Sequence, residues 1–213
     1  MTWKLSRWLV IDTETTGLDP AADRIVELAA VWMQAGEVAE RRCTLLNPGI
    51  PIPEAASAVH GITDERVVGK PRLEDVARRF CAMVRQAEVI VGYNAPFDVA
   101  FLAAQCPGWG DAASHAPVID SLTVVRLDGV GRFWKGPGRH KLASVCERLR
   151  IAGDGPYHSA STDAVMAGRV LWHLRDHLPD DLGECESMLR AARVAQERDF
   201  EAWKAAQAAK GAA

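Results

Sequence analysis

The chain has 213 residues, 48% of them hydrophobic and 25% charged, with a formal net charge of −3. That length and balance fit one globular domain with a well-formed core and room for an appendage, and they exclude a chain disordered throughout. The acidic balance excludes the coating of DNA by wholesale phosphate neutralisation, but not an enzyme that grips a few nucleotides and borrows positive charge from bound metal ions.

In chain order, Arg7 to Ile11 reads as a short buried strand. A turn follows at Thr16-Gly17-Leu18-Asp19-Pro20, then strands at Ile25 to Met33 and Arg41 to Leu46, joined near Gly36. Three strands with short turns predict an antiparallel meander. Apolar residues at 73, 76, 77, 80, 83 and 84 then mark a helix over Leu73 to Arg85. Glu88 to Val91 is a brief strand. Pro96 to Gln105 is a helix with Pro in its first turn. Val118 and Ile119 form another strand, and helices follow at Lys141 to Leu149 and Thr162 to Leu174. A meander followed by alternating helices and strands predicts an α/β domain with a mixed sheet. After Pro179 the chain is Ala-rich and charged, which reads as a helical extension. The expected division is a domain over residues 1–177 and an extension over 178–213.

Five cysteines without C-x-x-C spacing argue against a disulfide framework or a zinc site, and for reduced thiols in a cytoplasmic protein. Asp12 and Glu14 interrupt the only apolar start, so no signal peptide is read there, and no apolar run approaches membrane-helix length.

The chemistry-bearing residues are carboxylates at junctions. Asp12 and Glu14 sit two apart at the end of the first strand, so they share a face. An isolated Asp-x-Glu is usually an ordinary surface pair; here it ends a buried strand and precedes Thr15-Thr16-Gly17. Asp98 lies in the first turn of a helix, where an acid also complements the helix dipole. His158 and Asp163 flank the start of the Thr162 helix, the His on a loop marked by Gly155-Pro156. A loop His beside a helix-borne carboxylate suits a general base next to a metal ligand. Such junctions gather at one edge of an open α/β sheet. Four converging carboxylates without bases to pair them require cations, and oxygen-only ligands select hard ions such as Mg²⁺ or Mn²⁺.

Asp12-Thr13-Glu14-Thr15-Thr16-Gly17-Leu18, Asn94-Ala95-Pro96-Phe97-Asp98 and His158-x-Ala160-x-x-Asp163-Ala164 resemble the three motifs of the DEDDh exonucleases, which include the proofreading ε subunit, RNase T and oligoribonuclease. Val59-His60-Gly61-Ile62-Thr63 resembles that family's nucleotide-contact segment, and Lys141 to Cys146 the helix before its third motif. The likeness runs from about Trp8 to His173. It implies a ribonuclease-H-like fold: an antiparallel meander plus parallel strands, flanked by helices. It implies two Mg²⁺ or Mn²⁺ ions held by Asp12, Glu14, Asp98 and Asp163, with His158 deprotonating the attacking water. The implied reaction is 3′→5′ removal of nucleoside 5′-monophosphates from the 3′ end of a single strand. Thr15 and Leu18 would hold the terminal nucleotide, with Asn94 in the same substrate-binding set. His60 would pack on the base or sugar, and Phe101 is either a stacking surface or a core residue. Tyr93 departs from the family, which often has His there.

Residues 126–141 carry Arg126, Arg132, Lys135, Arg139 and Lys141 against Asp128, with Phe133 and Trp134 interleaved. Bases stack on aromatics while cations track phosphates, so the stretch suits single-stranded nucleic acid; a solvated connecting loop is the equal alternative. Leu182, Cys185, Met188, Leu189 and Ala192 form one apolar stripe. It packs either on the domain or on a partner, a DNA polymerase or a second copy of the chain. Three functional readings stand: a DNA exonuclease of proofreading or repair type, an RNA-trimming relative, and a non-catalytic polymerase-binding or scaffold module.

Overall fold

The structure is a computed structural model that describes residues 2–132, 134, 136, 138–153, 155 and 158–211, with side chains through residue 207. Phe133 and Lys135 of the basic stretch, Pro156 of the loop signal and Ala213 lie outside the described residues.

Three strands form the meander: β1 (Trp8–Thr15), β2 (Ile25–Gln34) and β3 (Glu37–Leu45). Ala35 and Gly36 make the β2–β3 turn, both with positive φ, as a two-residue hairpin requires. An added Cβ at Gly36 would come within 2.4 Å of the Trp172 ring, so no side chain fits there. The helices α1 (Glu54–His60), α2 (Asp64–Val67) and α3 (Leu73–Val84) lead to β4 (Val89–Gly92). Then come α4 (Ala95–Gln105), α5 (Trp109–Ala113), β5 (Val118–Asp120), α6 (Ser121–Val125), α7 (Leu142–Leu149), α8 (Ala160–Leu174) and α9 (Leu182–Gly211).

The sheet order is β3-β2-β1-β4-β5. β1 pairs antiparallel with β2 and parallel with β4, and β4 pairs parallel with β5. The fold is therefore α/β with the mixed sheet that the strand pattern predicts, in the ribonuclease-H-like form that the family resemblance implies.

Strand alternation splits the core into two layers. Trp8, Val10, Ala29 and Val31 pack on the α8 side with Val165, Met166 and Leu171. Leu9, Ile11, Leu28 and Ala30 face the other way, towards Phe80 of α3 and Phe101 and Leu102 of α4. This alternation decides where the acidic side chains go.

Two predicted strand boundaries move by four residues, the others by one or two. β1 continues through Thr15 because pairing with β2 extends to Thr15 opposite Ile25. β3 starts at Glu37, four residues before the apolar signal, because an edge strand needs no buried residues to complete its ladder. Of the apolar stripe in α9, Cys185 and Leu189 are buried in the α8-side core, with Leu182 and Met188 packed against it. Lys4 ties the chain's first turn to this region, donating to Leu178 O at 2.7 Å and to Asp180 Oδ1 at 2.6 Å. No helix among the described residues is long and apolar enough to cross a membrane.

Candidate active site

β1, β4 and β5 run parallel, so Thr15, Gly92 and Asp120 end at one edge of the sheet. Residues 12 and 14 share the face of Trp8 and Val10, the face that α8 covers. Asp163, in the first turn of α8, lands on the same spot. One oxygen from each of Asp12, Glu14 and Asp163 lies within 4.8 Å of the others.

Asp98 arrives from the opposite face, on α4. Its Oδ1 accepts from Thr13 N at 2.9 Å and from Thr13 Oγ1 at 2.7 Å, and the residue is only 3% exposed. It thus adjoins the trio through the residue between Asp12 and Glu14, rather than joining the tight group of three. The short route from β4 to α4 sets its place. An added Cβ at Gly92 would sit 2.9 Å from Ala95 Cβ, and Asn94 turns the chain at φ 63°.

The electrostatics of the group are those of crowded, part-buried acids. Burial raises Asp12 well above its ordinary value, with repulsion from Asp98, Asp163, Glu14 and Glu27 adding to it. Burial, then Asp163 and Glu27, push Glu14 to about 8. Asp98 rises to about 7 through burial, against the lowering effect of the Thr13 bonds. Asp163 is raised by burial too, opposed by its bond from the His158 backbone. Asp163 Oδ2 accepts from His158 N at 3.2 Å, while its Oδ1 is buried with no hydrogen-bond partner among the described residues. A buried carboxylate oxygen with no partner among the described residues, on one of three crowded acids, fits a divalent cation: the donors are hard oxygens and a lone pair is left to be satisfied.

His158 is exposed, on a bend with φ 61°, just before α8. The nearby His60 has its pKa lowered chiefly by burial, with Arg66 and His158 adding to the effect. His60 is 9% exposed and both its ring nitrogens are engaged. Nδ1 accepts from Ile62 N at 3.0 Å, so Nε2 carries the hydrogen and donates to Thr15 O at 3.2 Å. His60 therefore pins the end of β1, and only its carbon surface is left for a nucleotide. Thr15 Oγ1 donates to Gly17 O at 2.6 Å. Leu18 stands 84% exposed beside the site, and Asn94 is exposed at the start of α4. The alternative of Phe101 as a stacking surface is corrected. Its ring is 0% exposed and packs on Phe97 at 4.9 Å, because one turn beyond Asp98 the helix face points into the core.

Two acidic residues escaped the sequence reading. Glu27 lies directly opposite Glu14 in the β1–β2 ladder and accepts from Ala160 N at 2.8 Å. It holds the first residue of α8, and with it Asp163, against the sheet. Only the cross-strand register reveals it. Asp120 accepts from Asn94 N at 2.7 Å and Ala95 N at 3.2 Å while capping α6 through Leu122 N and Thr123 N. It anchors the start of α4. An Asp before Ser-Leu-Thr is a helix-cap signal, but a five-residue helix left no periodicity to support it.

The family model described as exonuclease, of the RNase T type, matches residues 9–171. A DNA polymerase III subunit epsilon-like protein of Rhodobacter capsulatus is 50% identical over 174 residues, which cover 78% of this chain and 23% of that protein. A DNA polymerase III PolC-type protein of Halalkalibacterium halodurans is 33% identical over 191 residues, 84% of this chain and 13% of its own length. The chain thus spans less than a quarter of either relative. Among solved structures, Exonuclease X in complex with 5′ overhanging duplex DNA superposes with a TM-score of 0.66 at 25% identity, covering 85% of this chain and 99% of that one. The zinc-bound E. coli ExoI–ssDNA complex superposes at 0.68 and 22% identity, over 80% of this chain and 41% of that one, a likeness of fold alone.

Proposed function

The chain belongs to the exonuclease family of the RNase T type, and from that premise we propose that it is a metal-dependent 3′→5′ exonuclease acting on single-stranded DNA ends. The observation that carries the reading is the convergence of Asp12, Glu14 and Asp163, together with the buried Asp163 Oδ1 that has no partner among the described residues. Asp12, Glu14 and Asp163, with Asp98 beside them, are the residues that would hold Mg²⁺ or Mn²⁺. When bound, such ions supply the positive charge that a phosphodiester needs in its transition state.

The chain's own residues do the rest. The exposed Leu18, next to the Thr15–Gly17 turn, offers an apolar surface to the terminal base. His158, on its bend beside Asp163, accepts the proton of the attacking water. Its backbone bond to Asp163 keeps base and carboxylate in register. The bond between phosphorus and the 3′ oxygen then breaks, releasing a nucleoside 5′-monophosphate. DNA as substrate is supported by the names of the relatives, both DNA polymerase III proteins. A cytoplasmic setting goes with that reading.

The test is digestion of matched 5′-labelled DNA and RNA oligonucleotides. DNA should shorten stepwise from its 3′ end with Mg²⁺ or Mn²⁺ and not in EDTA. His158→Ala should cut roughly 10²–10⁴-fold more slowly while still binding DNA in Ca²⁺. Full activity after exhaustive chelation, or wild-type cutting by His158→Ala, refutes the mechanism; faster RNA trimming refutes the substrate.

A further inference from the structure

Beyond β5 at the same sheet edge, a cavity of about 650 Å³ opens between the segment after α6 and the outer half of α9. Its walls carry Arg126, Arg132, Arg139 and Lys141 against one carboxylate, Asp199. Arg132 neutralises that carboxylate at 2.7 Å. No ion pair among the described residues engages Arg126, Arg139 or Lys141. This is a cluster of free positive charge on a chain whose formal charge is −3.

The opposite wall is aromatic. Phe200 and Trp203 are stacked with ring centroids 5.9 Å apart and an interplanar angle of 13°. They are 55% and 56% exposed, the only exposed Phe or Trp among the described residues. Two half-exposed rings, with Lys204 Nζ 4.9 Å from the Phe200 centroid as a further cation, share a cavity with unpaired Arg and Lys side chains and match a strand of nucleic acid, whose bases stack while its phosphates meet the charges. An apolar protein partner would leave those cations desolvated without counter-charges.

The groove connects to the catalytic edge. The Tyr93 hydroxyl donates to His140 O at 2.5 Å, and His140 lies in the groove wall. Tyr93 immediately precedes Asn94 at the start of α4. Two strand spacings, roughly 10 Å in all, separate β1 from β5. A strand with its 3′ end at Asp12 therefore reaches the groove with nucleotides upstream of the one being removed.

We propose that this groove binds the upstream part of the single strand, with Phe200 and Trp203 as its stacking platform and Arg126, Arg139 and Lys141 on its phosphates. The proposal rests on the exonuclease reading for its direction. It makes α9 part of the substrate path and separates grip on long strands from the chemistry.

The experiment measures anisotropy of labelled oligothymidylate without divalent metal, and Mg²⁺-dependent cleavage of a dinucleotide, for the full chain. Phe200→Ala with Trp203→Ala should weaken binding of a long strand about 10- to 100-fold. Arg126→Gln with Arg139→Gln should reduce the salt slope of binding by about 0.7 for each phosphate no longer neutralised. Both pairs should cleave the dinucleotide at the wild-type rate. Unchanged long-strand binding in both pairs overturns the proposal and leaves the groove to a protein partner. An equal loss on the dinucleotide also overturns it, because the residues then act through the fold. If the wild type binds long strands through these residues yet cuts neither substrate, the exonuclease reading fails and the groove stands.

Discussion

Glu14 is the sharpest test of the electrostatics at the carboxylate site. It titrates near 8 in the folded protein, against an ordinary 4.5. Between those values the metal-free folded state holds a proton that the unfolded chain has released. Its contribution to stability is therefore full below about pH 4.5 and is lost as pH rises through 8. At about 1.4 kcal/mol per pKa unit, the gap sets a ceiling near 5 kcal/mol. Glu14 is only partly buried, and solvent screening lowers the effect to about 2 kcal/mol. Gln has no charge to develop. In EDTA at pH 8, Glu14→Gln should melt roughly 4–8 °C above the wild type, at about 2–4 °C per kcal/mol for a chain of this length. Near pH 4.5 the difference should vanish. With Mn²⁺ the order should reverse, because the variant has lost a ligand. Thermal unfolding by circular dichroism at both pH values, with EDTA and with Mn²⁺, reads all three. Equal melting of the two proteins at pH 8 in EDTA would show that Glu14 is not under strain and would sink the argument.

Two further outcomes follow from the packing. Glu27→Ala should lose about 1–3 kcal/mol of stability, because Ala160 N is left without an acceptor, whereas Glu27→Gln keeps one and should stay near the wild type in urea unfolding; equal losses would assign the effect to charge. A chain ending at Arg193 should melt like the full protein and cleave a dinucleotide normally. One ending at His177 exposes the surface that Cys185 and Leu189 cover and should melt well below it, although any folded fraction should still cut. A folded but inactive His177 truncation would show that the later residues help to build the site.

The local and periodic features of this protein were legible in its sequence. Buried strands betray themselves by apolar runs, and the i, i+2 rule alone puts Asp12 and Glu14 on one face. The edge strand β3 was half hidden, since a solvated strand carries no apolar signal. Helices α1, α2, α5 and α6 were hidden because each is shorter than the pattern that would reveal it.

What required the tertiary structure was everything that depends on pairing and on facing. Register placed Glu27 opposite Glu14, and no spacing along the chain relates residues 14 and 27. The two faces of the sheet separated Asp98, bound to Thr13, from the Asp12–Glu14–Asp163 trio, although all four carboxylates look alike as letters. The same facing sent Phe101 into the core. It also brought Phe200 and Trp203 of α9 opposite Arg126 and Arg139, residues far apart in sequence. A chain determines its elements by interactions among near neighbours, which a sequence displays directly. It determines its sites by burial and register, which exist only once distant segments exclude water together.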